Sequence, residues 1–281
     1  MPKLRWRERE LVRRFYGPPA VGELERRFLE TIERLVRPGD RVLDAGCGTG
    51  RLFTYDLRAR ASLIVGVDLT SDVAQNPNID WPLRASLTAL PFASETFDLI
   101  ICKHVLEHLD EPESAFRELA RILRCQGRLL ILTPNRFHYV PLLASLLPLS
   151  LQRLVARGRG LTPAEVHPTL YRANTPRRLR RLAHQADLRV AVLRLFETPP
   201  VYLAFHPLAF ALGVAYERLV NRFEALTPLR VNLLAVLRKP QGSEPSLVDF
   251  PKSEGLSFLC PARRKLWTSP GESSSKCTSA W

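Results

Sequence analysis

Arg41-Val42-Leu43-Asp44-Ala45-Gly46-Cys47-Gly48-Thr49-Gly50 is the stretch on which the fold turns. A short apolar run passes through an acidic residue into alternating glycines. Downstream, Leu63-Ile64-Val65-Gly66-Val67 is apolar without interruption, of strand length, and closed by Asp68. A strand apolar on both sides belongs in a parallel sheet covered on both faces. Glycines allow a sharp turn and let backbone N–H groups approach a ligand where a Cβ would collide. An acid at the end of the next strand is placed to accept the ribose hydroxyls of an adenosine. With residues 51–60 fitting a helix between the two strands, the pattern reads as a nucleoside-type site. The plain alternative is a tight turn with Asp68 as a helix cap.

The same periodicities extend outward. Leu24, Phe28, Ile32, Leu35 and Val36 recur at helical spacing among charges until Pro38-Gly39 ends the run. Phe97–Cys102 is a further strand. Pro112, with Asp110 and Glu111 available as caps, opens a helix whose buried stripe is Ala115, Phe116, Leu119, Ile122 and Leu123. Gln126-Gly127 is expected to stop it before the strand Leu129–Leu132. Thr175-Pro176 starts a helix through Leu179, Leu182, Ala183 and Ala186, and strands follow at Val190–Phe196 and Val231–Leu237. Strands alternating with helices predict an α/β, doubly wound, mostly parallel sheet. The expected organisation is a basic N-terminal segment (1–22), one domain (23–240) and a Ser/Pro/Lys/Gly-rich, poorly ordered tail (241–281). Residues 135–174 and 197–228 are too long and Pro-bearing to be simple turns, and are expected to form caps over a site.

The turn is not GxGxxG. A dinucleotide needs a helix N-terminus over its pyrophosphate, and Asp44 would repel that group while suiting an ammonium or sulfonium cation. Asp44-Ala45-Gly46-Cys47-Gly48-Thr49-Gly50 resembles motif I of the class I S-adenosylmethionine-dependent methyltransferases. The similarity continues in order through Ala89-Leu90-Pro91-Phe92, Phe97-Asp98-Leu99-Ile100, Val105-Leu106-Glu107-His108-Leu109 and Ala120–Arg128. That succession looks like the type 11 subgroup, which includes ubiquinone- and menaquinone-type methyltransferases. The resemblance is clear over residues 36–134, and by topology over 175–238. It implies a Rossmann-like sheet of seven strands with the last antiparallel, and S-adenosylmethionine as cofactor. It also implies that Asp44, Ala45, Gly46, Cys47, Gly48 and Gly50 line the methionine end, that Asp68 with Leu69 holds the ribose, and that Cys102 lies near the methyl group. Relatives commonly place an Asp near the third strand against the adenine amino group. Here the slot reads Ala85-Ser86-Leu87, so Ser86, with Leu87 beside it, replaces the acid. Cys125-Gln126-Gly127 departs from the usual Pro-Gly-Gly in a turn expected to lie away from the cofactor.

Methyl transfer is an in-line displacement, so alignment and exclusion of water dominate. A base is needed only where the acceptor loses a proton. His104, His138 and His167 are the candidates, while His108 reads as a structural histidine.

The chain has 281 residues and a net charge of +13. The basic excess sits in residues 1–14, 151–160 and 172–194, whereas 36–134 is slightly acidic. It suits an anionic surface or partner, or only a solvated Arg-rich exterior. Five cysteines without a CxxC pair argue against a disulfide framework or a zinc site, and no metal is expected. With an Arg/Glu-rich start and no apolar leader, the expected location is cytoplasmic, with a peripheral place at the inner leaflet left open. Residues 139–151 and 198–216 are uncharged and apolar, but Pro199, Pro200, His206 and Pro207 interrupt the second. A buried cap or an interfacial surface therefore fits better than a membrane span. Arginines 153, 157, 159, 177, 178, 180 and 181 flank the first. The leading reading is a methyltransferase for a small, lipophilic or membrane-associated acceptor. A tRNA or rRNA methyltransferase is less favoured, since no Asn-Pro-Pro-Tyr-like block or aromatic–basic interleaving occurs. A non-catalytic cofactor-binding scaffold is the third.

Overall fold

The computed structural model describes residues 6–17, 22–50, 56–146 and 168–241. Helices α1 (Trp6–Tyr16) and α2 (Glu23–Leu35) precede β1 (Arg41–Ala45). Then come β2 (Leu63–Asp68), β3 (Trp81–Arg84), β4 (Phe97–Lys103), α3 (Pro112–Ile122), β5 (Leu123–Pro134) and α4 (Tyr139–Leu146). The chain closes with α5 (Pro176–Gln185), β6 (Arg189–Phe196), α6 (Pro207–Arg222) and β7 (Asn232–Arg238). The seven strands lie in the order β3-β2-β1-β4-β5-β7-β6. The first five are parallel, and β7 runs antiparallel to both of its neighbours. This is the doubly wound, mostly parallel sheet that the apolar runs predict.

Successive residues of each central strand serve opposite faces, as the period of two requires. Leu43, Ala45, Ile100, Cys102, Leu129 and Ile131 join the core under α3 and α5. Val42, Leu99, Ile101, Leu130 and Leu132 join the core under α2, with Phe28 and Ile32. The Thr175 side chain accepts the N–H of Arg178, and Pro176 holds the first helical position, so the expected α5 cap is formed.

Four local readings change. Residues 56–60 form a turn, with Arg60 N–H bonded to the Leu57 carbonyl, rather than the end of a helix; the remainder of that expected helix lies outside the described residues. Helix α3 ends at Ile122, and β5 begins at once. It runs through Gly127 by placing Gln126 at φ 61° and shifting register between Phe97 and Leu99 of β4. Gln126-Gly127 thus bulges a strand instead of stopping a helix. Neither Asp110 nor Glu111 makes a side-chain cap to α3; Glu111 instead accepts the Ser114 hydroxyl. Finally, β3 ends at Arg84, so Ser86 sits beyond the strand in a turn bridged to Ala89.

The amino-terminal edge of the sheet is polar. Arg128 and Asp40 form a buried ion pair in which each side chain is under a tenth exposed. Asp40 Oδ2 also accepts the Arg37 N–H, while Arg124 pairs with Asp98. Burial pulls the Arg128 guanidinium below its ordinary pKa, opposed chiefly by Asp40. Cys125-Gln126-Gly127 lies at this edge, opposite the glycine turn.

Candidate active site

The glycine turn leaves the carboxyl end of β1 and is held from three directions. Gly46 and Cys47 both donate their N–H to the Val67 carbonyl of β2. Asn76 donates to the carbonyls of Cys47 (3.2 Å) and Gly48 (3.3 Å). The Asp68 Oδ2 accepts the Gly48 N–H at 2.9 Å, and its Oδ1 accepts both the N–H and the hydroxyl of Thr70.

The glycines are not equivalent. Gly46, at φ 76°, would place a Cβ within 2.2 Å of a Val105 methyl group, so any side chain there collides with the segment after β4. Gly48 sits at φ 51° with nothing among the described residues within 4 Å of where its Cβ would be. Its Cα therefore opens on space a ligand can enter, and a Cβ would fill it. Gly50 packs against Asn76.

Asp44 is buried, and it and Asp68 both act on the Cys47 thiol, so the two carboxylates flank one turn at one end of the sheet. Burial first, then those two acids, push the thiol far above its ordinary value, and its Sγ packs over Gly66. Cys47 therefore stays a neutral, half-buried thiol. The side chains of Ala45, Leu87 and Cys102 also belong to the core, and burial leaves Cys102 an inert thiol. Leu69 does the reverse: it stands exposed beside Asp68. The Ser86 hydroxyl shares a 2.8 Å hydrogen bond with that of Thr88 and accepts the Thr88 N–H. It is an internal turn brace where an adenine contact was expected.

Lys103 ends β4, which pairs with β1 through Cys102 and Ala45; His104 and Val105 follow, and Val105 lies against Gly46 of the glycine turn. Lys103 stands over the Phe28 ring, and burial brings its ammonium down to about 8, although Glu25 and Asp44 oppose the shift. His104 adopts φ 54°, rare for a non-glycine residue. Its Nδ1 lies 3.4 Å from Glu107 Oε1. Glu107 is buried and accepts the Thr133 hydroxyl on Oε2; Thr133 in turn accepts an Asn174 N–H. Burial alone would raise the Glu107 carboxyl, but His104 and then His108 hold it below the ordinary carboxylate value. His108 bonds the Pro168 carbonyl and is structural, as read.

Of the other histidines, His167 lies outside the described residues. His138 is fully enclosed, so it is no surface for an acceptor. Its Nδ1 accepts the Val140 N–H, while Nε2 lies 3.5 Å from Glu197 Oε2 without a hydrogen bond among the described residues. Tyr139 and Tyr216 wall the pair. Burial drives His138 down to about 4 and Glu197 up to about 8; the backbone N–H groups of Thr198 and Val231 only partly offset the latter.

The depressed His138 and raised Glu197 pull stability in opposite directions with pH. Stability from neutral His138 is lost as pH falls, and stability from protonated Glu197 is lost as pH rises toward 8. Above the ordinary histidine range only the second slope remains. Melting temperature is therefore expected to fall between about pH 6.5 and 8, and Glu197→Gln to flatten that limb in scanning calorimetry. An unchanged limb in the variant assigns the slope elsewhere.

Sequence reasoning missed Thr70, Asn76, Thr133, Asn174 and Glu197 as braces. Their partners lie across the chain, so no local spacing announces them.

A mostly parallel sheet with an alternating-glycine turn between two acids at its carboxyl edge defines a Rossmann-like α/β fold with a ligand site at the strand ends. Residues 43–131 match the family model described as "Methyltransferase domain". The chain is 30% identical over 142 residues to the "Ubiquinone biosynthesis O-methyltransferase" of Aeromonas salmonicida, covering 46% of this chain and 59% of that protein. It is 34% identical over 105 residues to a Mycobacterium tuberculosis protein named "Probable S-adenosylmethionine-dependent methyltransferase", covering 36% of this chain and 38% of that one. A solved S-adenosylmethionine-dependent methyltransferase from Mesorhizobium loti superposes over 78% of this chain and 99% of its own, with a TM-score of 0.49 and 17% identity. The segment from Leu43 to Ile131 is thus similar to methyltransferase domains. The chain spans about three fifths of the Aeromonas relative's length.

Proposed function

We propose that this protein transfers a methyl group to a hydroxyl of a small, lipophilic acceptor. The observation that carries the donor half is the open space at Gly48, set between Asp44 and Asp68. S-adenosylmethionine, when bound, supplies a methyl group on a cationic sulfur. Asp44 supplies negative charge at the methionine end, the Gly46–Gly50 backbone permits close approach, and Asp68 and the exposed Leu69 suit a ribose and its base. His104 contributes proton handling: Glu107 fixes Nδ1 as the protonated nitrogen, which puts the lone pair on Nε2. That arrangement suits an acceptor that gives up a proton, which a hydroxyl does.

The acceptor's lipophilic character is supported by the apolar chain entering and leaving the carboxyl edge of the sheet. Phe137, Leu142, Leu143 and Phe205 are all exposed there. The naming of similar proteins for ubiquinone biosynthesis points the same way.

The test is donor binding by titration calorimetry. Asp68→Ala is expected to weaken it by more than tenfold, since a charge-assisted contact contributes about 1.5–3 kcal/mol. Unchanged affinity removes Asp68 from the site. Labelled methyl groups should then partition from a lysate into organic solvent; recovery in RNA would replace the lipophilic acceptor with a nucleic acid.

A further inference from the structure

Helix α6 carries an apolar face that nothing among the described residues covers. Phe210, Gly213, Val214 and Val220 are its buried side. Helix α1 packs there through Val12, and the Phe15 ring meets that of Phe210 edge-on. At 3.6 residues per turn, Leu208, Leu212, Ala215 and Leu219 fall on the opposite side, and all four are exposed. Leu208 and Leu212 keep 63% and 64% of their surface accessible. Phe205 before the helix and Phe223 after it, both exposed, lengthen the stripe. A soluble surface helix normally turns polar residues outward, and an apolar ridge of this extent marks an interaction site.

The charge along the ridge is mainly basic. Arg218 and Arg222 border it, the exposed residues of α6 include no carboxylate, and Glu224 is the one exposed acid at its end. Helix α1 beside it exposes Arg7, Arg9, Arg13 and Arg14 against a single exposed acid, Glu10. The segment containing α6 leaves the sheet after β6 and returns at the start of β7, the edge at which β1 and β4 end. Tyr216 of α6 packs on Tyr139 of α4, whose Leu142 and Leu143 are also exposed.

We propose that the Phe205–Phe223 ridge lies in the headgroup–acyl boundary of an anionic bilayer, with Arg218 and Arg222 at the level of the lipid phosphates and the basic helix α1 behind, adding longer-range attraction. No helix of the described residues is long and apolar enough to cross a membrane, so the association is in the plane of the leaflet. A second copy of this chain fits less well. Pairing ridge on ridge would bring the Arg218 and Arg222 borders of both copies together with only Glu224, beyond the end of each helix, to answer them. The proposal deepens the lipophilic-acceptor reading by placing the entrance to the site's edge of the sheet at the surface that holds such an acceptor.

Flotation of the full chain with vesicles tests this without any methyl donor, so its failure leaves donor binding by calorimetry unaffected. Phosphatidylglycerol vesicles should retain the protein, half-molar salt should weaken retention, and phosphatidylcholine vesicles should retain less. The double variant Leu212→Glu/Leu219→Glu should lose at least about tenfold in partitioning, since each leucine withdrawn from an apolar phase removes roughly that factor. Its melting temperature should match wild type, because both side chains already face solvent. Arg218→Glu/Arg222→Glu should lower retention on phosphatidylglycerol and leave phosphatidylcholine values unchanged. Absence of wild-type flotation, or equal flotation of the double leucine variant, overturns the proposal. So does a dimer by light scattering that the leucine variant dissolves, or RNA binding in place of vesicles.

Discussion

His104→Ala should lower turnover of a hydroxyl acceptor by about 10²–10⁴-fold, the usual contribution of a positioned base, while donor affinity stays within about twofold of wild type. The expectation rests on backbone as much as on imidazole. His104 occupies a left-handed conformation at the end of β4, fixed by its N–H bond to the Leu132 carbonyl, and such conformations persist only where surroundings hold them. The buried Glu107, steadied by Thr133 and Asn174, then settles which nitrogen carries the proton. Steady-state kinetics and calorimetry separate the two effects. Retained turnover would show that the acceptor gives no proton to this ring. Glu107→Gln distinguishes positioning from mere structural support. A positioning carboxylate should lower kcat in the variant while donor affinity and the acceptor KM hold. A purely structural carboxylate would change the melting temperature and leave kcat in place.

Asp40→Ala should destabilise the protein by about 3–5 kcal/mol, because it leaves the Arg128 guanidinium buried without its counter-charge. The Arg37 N–H loses its acceptor in the same substitution. Urea unfolding measures the loss. The double variant Asp40→Ala/Arg128→Met should recover most of it, since removing both charges leaves no uncompensated ion. A loss below about 1 kcal/mol in the single variant, the range of surface pairs, would mean water reaches the pair. Donor affinity should not change, as the pair stands at the amino edge of the sheet and the glycine turn at the other.

Much of the site was legible as sequence because its parts are contiguous. Asp44 through Gly50 forms one turn, and Asp68 ends the next strand, so spacing alone brings them to one edge. His104 was visible as a residue just after a strand, but its dyad with Glu107 was not: a positive φ at a histidine has no sequence signature. The surroundings of Ser86 were hidden for a related reason. Its place depends on where β3 stops, and the hydrogen bonds its hydroxyl makes with Thr88 are a property of the turn. The apolar stretch 198–216 offered a buried cap and an exposed platform equally well, since composition does not say which face is covered.

The sequence by itself determined the sheet and the glycine turn between two acids, because strand burial and glycine geometry are local consequences of side-chain pattern. Only the tertiary structure decided that His138 is buried beside Glu197 while His104 stands just past β4, next to the segment that meets the glycine turn. It also decided that one side of α6 is spent on α1 and the other is left to solvent. Burial is a relation between distant segments, and it is burial that moves these acid–base groups and selects which apolar surface remains available to bind.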